Sequence, residues 1–171
     1  MTLIVCPLSY VETVIAARAP SHLITLLDPA SLIDTPAGLT PERHLRLGVN
    51  DVCEPTEGRI VPDERLVERI LNFGCGWDET SPMLIHCWAG ISRSTATAFI
   101  LACERNPDMA ETAITEALRA ASVHAQPNRR IVALADDLLV RSGRMVDAVD
   151  SIGPGVIVEE SRPFDLPARW R

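Results

Sequence analysis

Residues 83–105, MLIHCWAGISRSTATAFILACER, place a five-residue apolar run, Met83–Cys87, directly before a short glycine-bearing turn. The segment that follows is apolar nearly all round, with Ala96, Ala98, Phe99, Ile100 and Leu101 among its residues. An uninterrupted apolar strand belongs inside a sheet that is covered on both faces. A helix without a polar face has to sit centrally. The two together require layers on either side of a sheet. The predicted class is therefore α/β, with a small, mainly parallel central sheet flanked by helices. At 171 residues, 47% of them hydrophobic, the chain is long enough to bury one substantial core.

The rest of the chain fits that frame. Residues 2–5 read as a strand, and Ser9 with Glu12 forms a capping-box pattern for a helix over about 9–18. His22–Leu27 and His44–Val49 read as strands, and the Pro- and Gly-bearing segment 50–62 as an exposed loop. Pro62 is expected to open a helix with Leu66, Val67, Ile70 and Leu71 on its inner face. Asp108 with Glu111 should begin another, and Pro127 a last long one containing Ile131, Leu134, Ala135 and Leu138. One domain is expected over 1–152, followed by an irregular tail over 153–171.

Charge and cysteine content exclude several classes of function. The formal net charge is −7, which disfavours nucleic acid or an anionic membrane as the main partner, although a local pocket can still hold a phosphate. No apolar run is long enough to cross a bilayer, and the first residues lack the pattern of a secretory signal, so a cytoplasmic location is expected. Five cysteines without CxxC pairing suit a reducing compartment. His22, His44 and His124 have no metal-ligand spacing, so neither a metal nor another cofactor is expected.

The junction between the apolar strand and the central helix is where open α/β sheets bind ligands. The helix start supplies unpaired N–H groups and partial positive charge. A loop curled around it, Trp88, Ala89, Gly90, Ile91 and Ser92, can aim successive N–H groups at one anion. Gly90 can adopt backbone angles closed to other residues, and Arg93 adds a planar fork suited to two phosphate oxygens. The same field favours a thiolate at Cys87. One set of dipoles thus makes an anion cradle and a nucleophile. The expected chemistry is attack of Cys87 on phosphorus, with Ser94 hydrogen-bonding the sulfur when it departs. His86 is expected to brace the loop, and Trp88 and Ile91 to form an apolar lip.

The motif His86-Cys87-x-x-Gly90-x-x-Arg93-Ser94 resembles the HCxxGxxRS signature of the protein tyrosine phosphatase superfamily, in its dual-specificity-like branch. Pro127-Asn128 at a helix start is a shorter echo of the same branch. By element order the likeness extends over roughly residues 20–143, and it is specific at 83–98. The resemblance implies hydrolysis of phosphate monoesters, on a phosphorylated protein or a small molecule, through a phosphocysteine. It also implies an aspartate on an upstream loop that protonates the leaving group and then activates water. Asp51, just after the strand ending at Val49, matches best. Its surroundings read Val49-Asn50-Asp51-Val52 rather than the WPD of the phosphotyrosine-specific branch, and Asp63, Glu54 and Glu57 are the substitutes.

Two other classes share some of these features. A rhodanese-like or arsenate-reducing enzyme also sets a reactive cysteine in an anion loop, and a phosphopeptide-binding module would keep the cradle without turnover. Cys53, two residues from Asp51, could approach Cys87 and form a protective disulfide, although a spectator thiol is the simpler reading.

Overall fold

The five strands order as β3-β2-β4-β1-β5 in a computed structural model that describes residues 1–170. The strands are β1 (Thr2–Pro7), β2 (His22–Leu27), β3 (His44–Gly48), β4 (Met83–Cys87) and β5 (Phe164–Pro167). The helices are α1 (Val11–Arg18), α2 (Glu64–Cys75), α3 (Arg93–Arg105), α4 (Glu111–Ala121), α5 (Arg129–Leu138) and α6 (Arg144–Ser151). As its composition demands, β4 is central and fully buried, with β1 and β2 parallel on either side. β3 extends the sheet beyond β2 in parallel, and β5 runs antiparallel on β1. The sheet is thus mostly parallel with one antiparallel pair.

Strand alternation distributes the core between the two faces. Leu3, Val5, Ile24, Leu26 and Ile85 pack into one cluster with residues from α2–α6, while Ile4, Cys6, Leu23 and Leu84 meet Val11 and Val14 of α1 on the other. α3 is buried at every position except Glu104. Each large side chain it hides, such as Phe99 or Leu101, contributes about 2 kcal/mol, so this helix is held rigidly against β4 and β1. Among the described residues, no helix is long and apolar enough to cross a membrane.

Several local expectations are corrected. Ser9 does not cap α1. It lies in a 3-10 turn, Leu8–Tyr10, and its hydroxyl donates to Glu160 Oε2 at 2.9 Å. Pro62 precedes the true cap of α2, Asp63, whose carboxylate accepts from Leu66 N at 2.9 Å. Asp108 does not begin α4, which starts at Glu111. That carboxylate is buried and paired with Arg141 at 3.0 Å and Arg144 at 3.3 Å. Asn128, rather than Pro127, caps α5.

The last helical region is not one helix. Val140, Ser142 and Gly143 take positive φ (53°, 56° and 87°), the chain breaks, and α6 follows. Its start is held by Asp136, which accepts from the backbone of Gly143 and Met145 at 2.6 and 2.7 Å. The segment 153–171 is not an irregular tail throughout, since it supplies β5. Pairing with β1 stabilises this strand, and its four residues carry no periodic signal of their own.

Candidate active site

Cys87 ends β4 and Arg93 begins α3, so residues 88–92 must reverse the chain between two buried elements. The loop does so with all its carbonyls held from outside. Trp88 O accepts from Leu8 N (3.1 Å), Ala89 O from Ser161 N (2.9 Å) and Gly90 O from Ser161 Oγ (3.1 Å). Ile91 O accepts from Gln126 N (2.9 Å) and Ser92 O from Asn128 N (3.2 Å). Cys87 O accepts from His86 Nδ1 (3.3 Å). A peptide is planar and trans, so each outward carbonyl turns the next residue's N–H the opposite way. Among the described residues, none of the N–H groups of Trp88 to Ser92 is engaged by another protein atom. Gly90 permits the turn with φ +70°, and a Cβ there would stand 2.6 Å from Ser161 Oγ and 2.7 Å from Pro7 N.

Arg93 is 5% exposed and anchored at one end only. Its Nη1 donates to Val49 O at 2.7 Å and to Asp28 Oδ1 at 3.0 Å, while its buried Nε has no partner among the described residues. The guanidinium is fixed from behind by the ends of β2 and β3, leaving free the edge that can grip two oxygens of an oxyanion. The sulfur of Cys87 lies 3.1 Å from Ser94 Oγ, with both residues buried.

His86 is buried beneath the cysteine within a chain of hydrogen bonds. Its Nε2 lies 2.7 Å from Thr25 Oγ1, which is 2.8 Å from His44 Nε2, and His44 Nδ1 lies 3.0 Å from Thr35 Oγ1. Burial pushes both imidazoles down to about 4, with Arg46 adding to the effect at His44. Both rings are therefore neutral at pH 7, and one tautomer pattern satisfies every group. The carbonyl of Cys87 only accepts, so His86 carries its hydrogen on Nδ1 and Thr25 donates to Nε2. Thr25 then accepts from His44 Nε2–H, and Thr35 donates to His44 Nδ1.

Asp51 lies directly against the loop. Its Oδ1 accepts from Ser92 Oγ at 2.7 Å and from Asn128 Nδ2 at 2.8 Å. Of the substitutes, Asp63 is occupied as the cap of α2, and Glu54 and Glu57 are exposed further along the loop. Trp88 is 60% exposed beside the cradle and Ile91 is half-buried. Cys53 is exposed and free, whereas Cys87 is buried and free.

The fold thus gathers Cys87, residues 88–92, Arg93, Ser94, His86 and Asp51 at one end of β4. Sequence reasoning missed Asp28, Thr25, His44 and Ser161, and saw Asn128 only as an echo. Asp28 had a usable signal, because a carboxylate just beyond a strand beside β4 lies within reach of Arg93. Ser161 had none.

No family model and no curated protein matches the sequence. Solved structures do. DUSP15 superposes with a TM-score of 0.62 at 19% identity, covering 86% of this chain and 88% of that one. PTPMT1, in complex with PI(5)P, gives 0.59 at 15% identity over 80% and 87% of the two chains. Human tyrosine phosphatase-like serine/threonine/tyrosine-interacting protein gives 0.59 at 18% identity over 80% and 87%. The fold is that of the dual-specificity and tyrosine phosphatases.

Proposed function

We propose that the protein is a cysteine-dependent phosphatase that hydrolyses phosphate monoesters. The observation that carries this reading is the run of six carbonyls, Cys87 to Ser92, held outward around a buried cysteine, beside an arginine whose Nε lacks a partner among the described residues. A buried unpaired donor is costly, and here an oxyanion would satisfy it together with the loop N–H groups.

The phosphoryl group sits in the cradle, its three non-bridging oxygens held by the N–H groups of residues 88–92 and the free edge of Arg93. Cys87 attacks in line as the thiolate. A P–S bond forms while the bond to the ester oxygen breaks, and Asp51 transfers a proton to that oxygen. In the second step Asp51 takes a proton from water, whose oxygen attacks phosphorus. The sulfur departs as thiolate, stabilised by the Ser94 hydroxyl 3.1 Å away.

The substrate class that fits is a phosphorylated protein side chain. PTPMT1 was solved with a phosphoinositide, but here the residues between Cys87 and Arg93 are Trp, Ala, Gly, Ile and Ser. None offers a positive charge for a second phosphate, which favours phosphotyrosine, phosphoserine or phosphothreonine. A second reading, a phosphopeptide-binding module, keeps a place because one neighbour is described as phosphatase-like and interacting. The buried pair of Cys87 and Ser94 favours the enzyme, since binding alone needs neither. The same Ser94, with Arg93, favours phosphoryl transfer over sulfur transfer or arsenate reduction.

Hydrolysis of p-nitrophenyl phosphate decides among them. The wild type is expected to turn over and Cys87→Ser to lose all turnover while still binding vanadate. Vanadate binding without turnover by the wild type would leave the binding module standing.

A further inference from the structure

The segment between α6 and β5 returns to the candidate active site and touches its loop at two consecutive peptides. Ser161 is 2% exposed. Its backbone N–H donates to Ala89 O at 2.9 Å and its hydroxyl to Gly90 O at 3.1 Å. The end of β1 crowds the same point, with Pro7 N 2.7 Å and Cys6 C 2.8 Å from where a Gly90 Cβ would lie. The peptides that follow Ala89 and Gly90 are thus hydrogen-bonded to this strap and packed closely against it and the end of β1.

The strap is itself anchored. β5 continues from it and pairs with Thr2–Val5 of β1, and Asp165 is paired with Arg18 of α1 at 2.9 Å. Glu160 accepts from Ser9 at 2.9 Å. Of these attachments, only Ser161 reaches the loop's carbonyls.

We propose that Ser161 is a positioning residue of the active site, holding the carbonyls of Ala89 and Gly90 outward and so aiming the N–H groups of Gly90 and Ile91 at the phosphoryl oxygens. The assignment rests on the phosphatase reading for its substrate, and on peptide planarity for its geometry. A loop peptide freed from its outer partner can rotate, and its N–H then leaves the cradle. Preorganised donors lose their effect when they must be reoriented at the moment of reaction. β5 acquires a function by the same reasoning: it carries the strap to the loop.

The experiment compares wild type, Ser161→Ala, Ser161→Cys and Ser9→Ala by vanadate affinity and by the rate of Cys87 alkylation with iodoacetamide at neutral pH, read at that residue by mass spectrometry. Ser161→Ala is expected to bind vanadate about tenfold more weakly, the effect of losing roughly one hydrogen bond's contribution. Its Cys87 should be alkylated severalfold more slowly, and on p-nitrophenyl phosphate kcat should fall more than KM rises. Ser161→Cys, similar in size but a weaker donor, should fall between. Ser9→Ala, which loses the exposed contact to Glu160, should behave as wild type.

Unchanged affinity and alkylation in Ser161→Ala, or in Ser161→Cys if the alanine variant does not fold, overturn the assignment. An equal loss in Ser9→Ala overturns it too, because the strap would then act as a general tether. Alkylation needs no turnover. A wild type without phosphatase activity whose Ser161→Ala variant still slows alkylation would therefore remove the phosphatase reading and leave the positioning role. An active wild type with an unchanged variant would do the reverse.

Discussion

The side-chain amide of Asn128 lies 2.8 Å from Oδ1 of Asp51, the oxygen that Ser92 Oγ also approaches at 2.7 Å. Two donors on Oδ1 leave Oδ2 free, so in the proposed mechanism Oδ2 is the oxygen that would carry the proton. Asn128 also accepts from Arg130 N and Ile131 N, both at 3.1 Å, capping α5. One residue therefore ties Asp51, the loop at Ser92 and a helix start together. Asn128→Ala should cost about 1–2 kcal/mol of stability through the cap alone, measured by urea unfolding. It should also slow hydrolysis of phenyl phosphate more than that of p-nitrophenyl phosphate, because only the poorer leaving group depends on the aimed proton.

Asp51→Ala isolates the proposed acid. General acid catalysis contributes about 10²–10⁴-fold, so kcat/KM for phenyl phosphate should fall by about 100-fold or more. For p-nitrophenyl phosphate, whose phenolate leaves without help, the loss in kcat/KM should stay below about tenfold, while kcat can fall further because Asp51 also serves as base in the second step. Steady-state kinetics on the two esters provide the check, and equal losses on both would point to Glu54 or Glu57 instead.

The contrast between Asp51 and Ser161 shows what was legible in the sequence. The loop from Cys87 to Ser94 is local, with residue types set by one tight turn and one helix start, and it reads directly. Asp51 could be found because the strand before it is periodic and ends at a definite place. Ser161 lies on a strap whose position depends on β5, four residues stabilised by pairing with β1 at the far end of the chain. Caps failed for a related reason. Ser9, Asp108 and Glu111 have the right spacing, but Ser9 and Glu111 are claimed by Glu160, Arg141 and Arg144, partners far away in sequence. The break before α6 uses positive φ at Val140 and Ser142, residue types that give no warning of it.

Gly90 should tolerate no side chain. In Gly90→Ala the new Cβ would meet Ser161 Oγ at 2.6 Å and the backbone of Pro7 and Cys6 below 3 Å, at a φ of +70° that alone costs about 1–2 kcal/mol. The backbone of β1 cannot yield, so the loop must. Vanadate binding should be lost, and thermal unfolding should show a destabilisation of about 3 kcal/mol or more.

The buried imidazoles set how the protein responds to acid. His44 and His86 are held near 4 when folded, against about 6.5 in an unfolded chain. Between those values the unfolded state binds more protons, so unfolding free energy rises with pH. Their contribution is fully present above about 6.5 and is lost as pH falls toward 4, on the order of a few kcal/mol for the two together. Protonation also breaks the hydrogen-bond chain, because a charged His86 no longer accepts from Thr25. Thr25→Val should reproduce part of this loss at neutral pH by leaving Nε2 of both rings without a partner, at about 1–3 kcal/mol per buried group. Urea unfolding at several pH values tests both statements. The wild type should weaken steeply below pH about 6.5, with Thr25→Val less stable than wild type at neutral pH. A wild-type stability that is flat between 6.5 and 4 would mean that the two rings are not buried in neutral form.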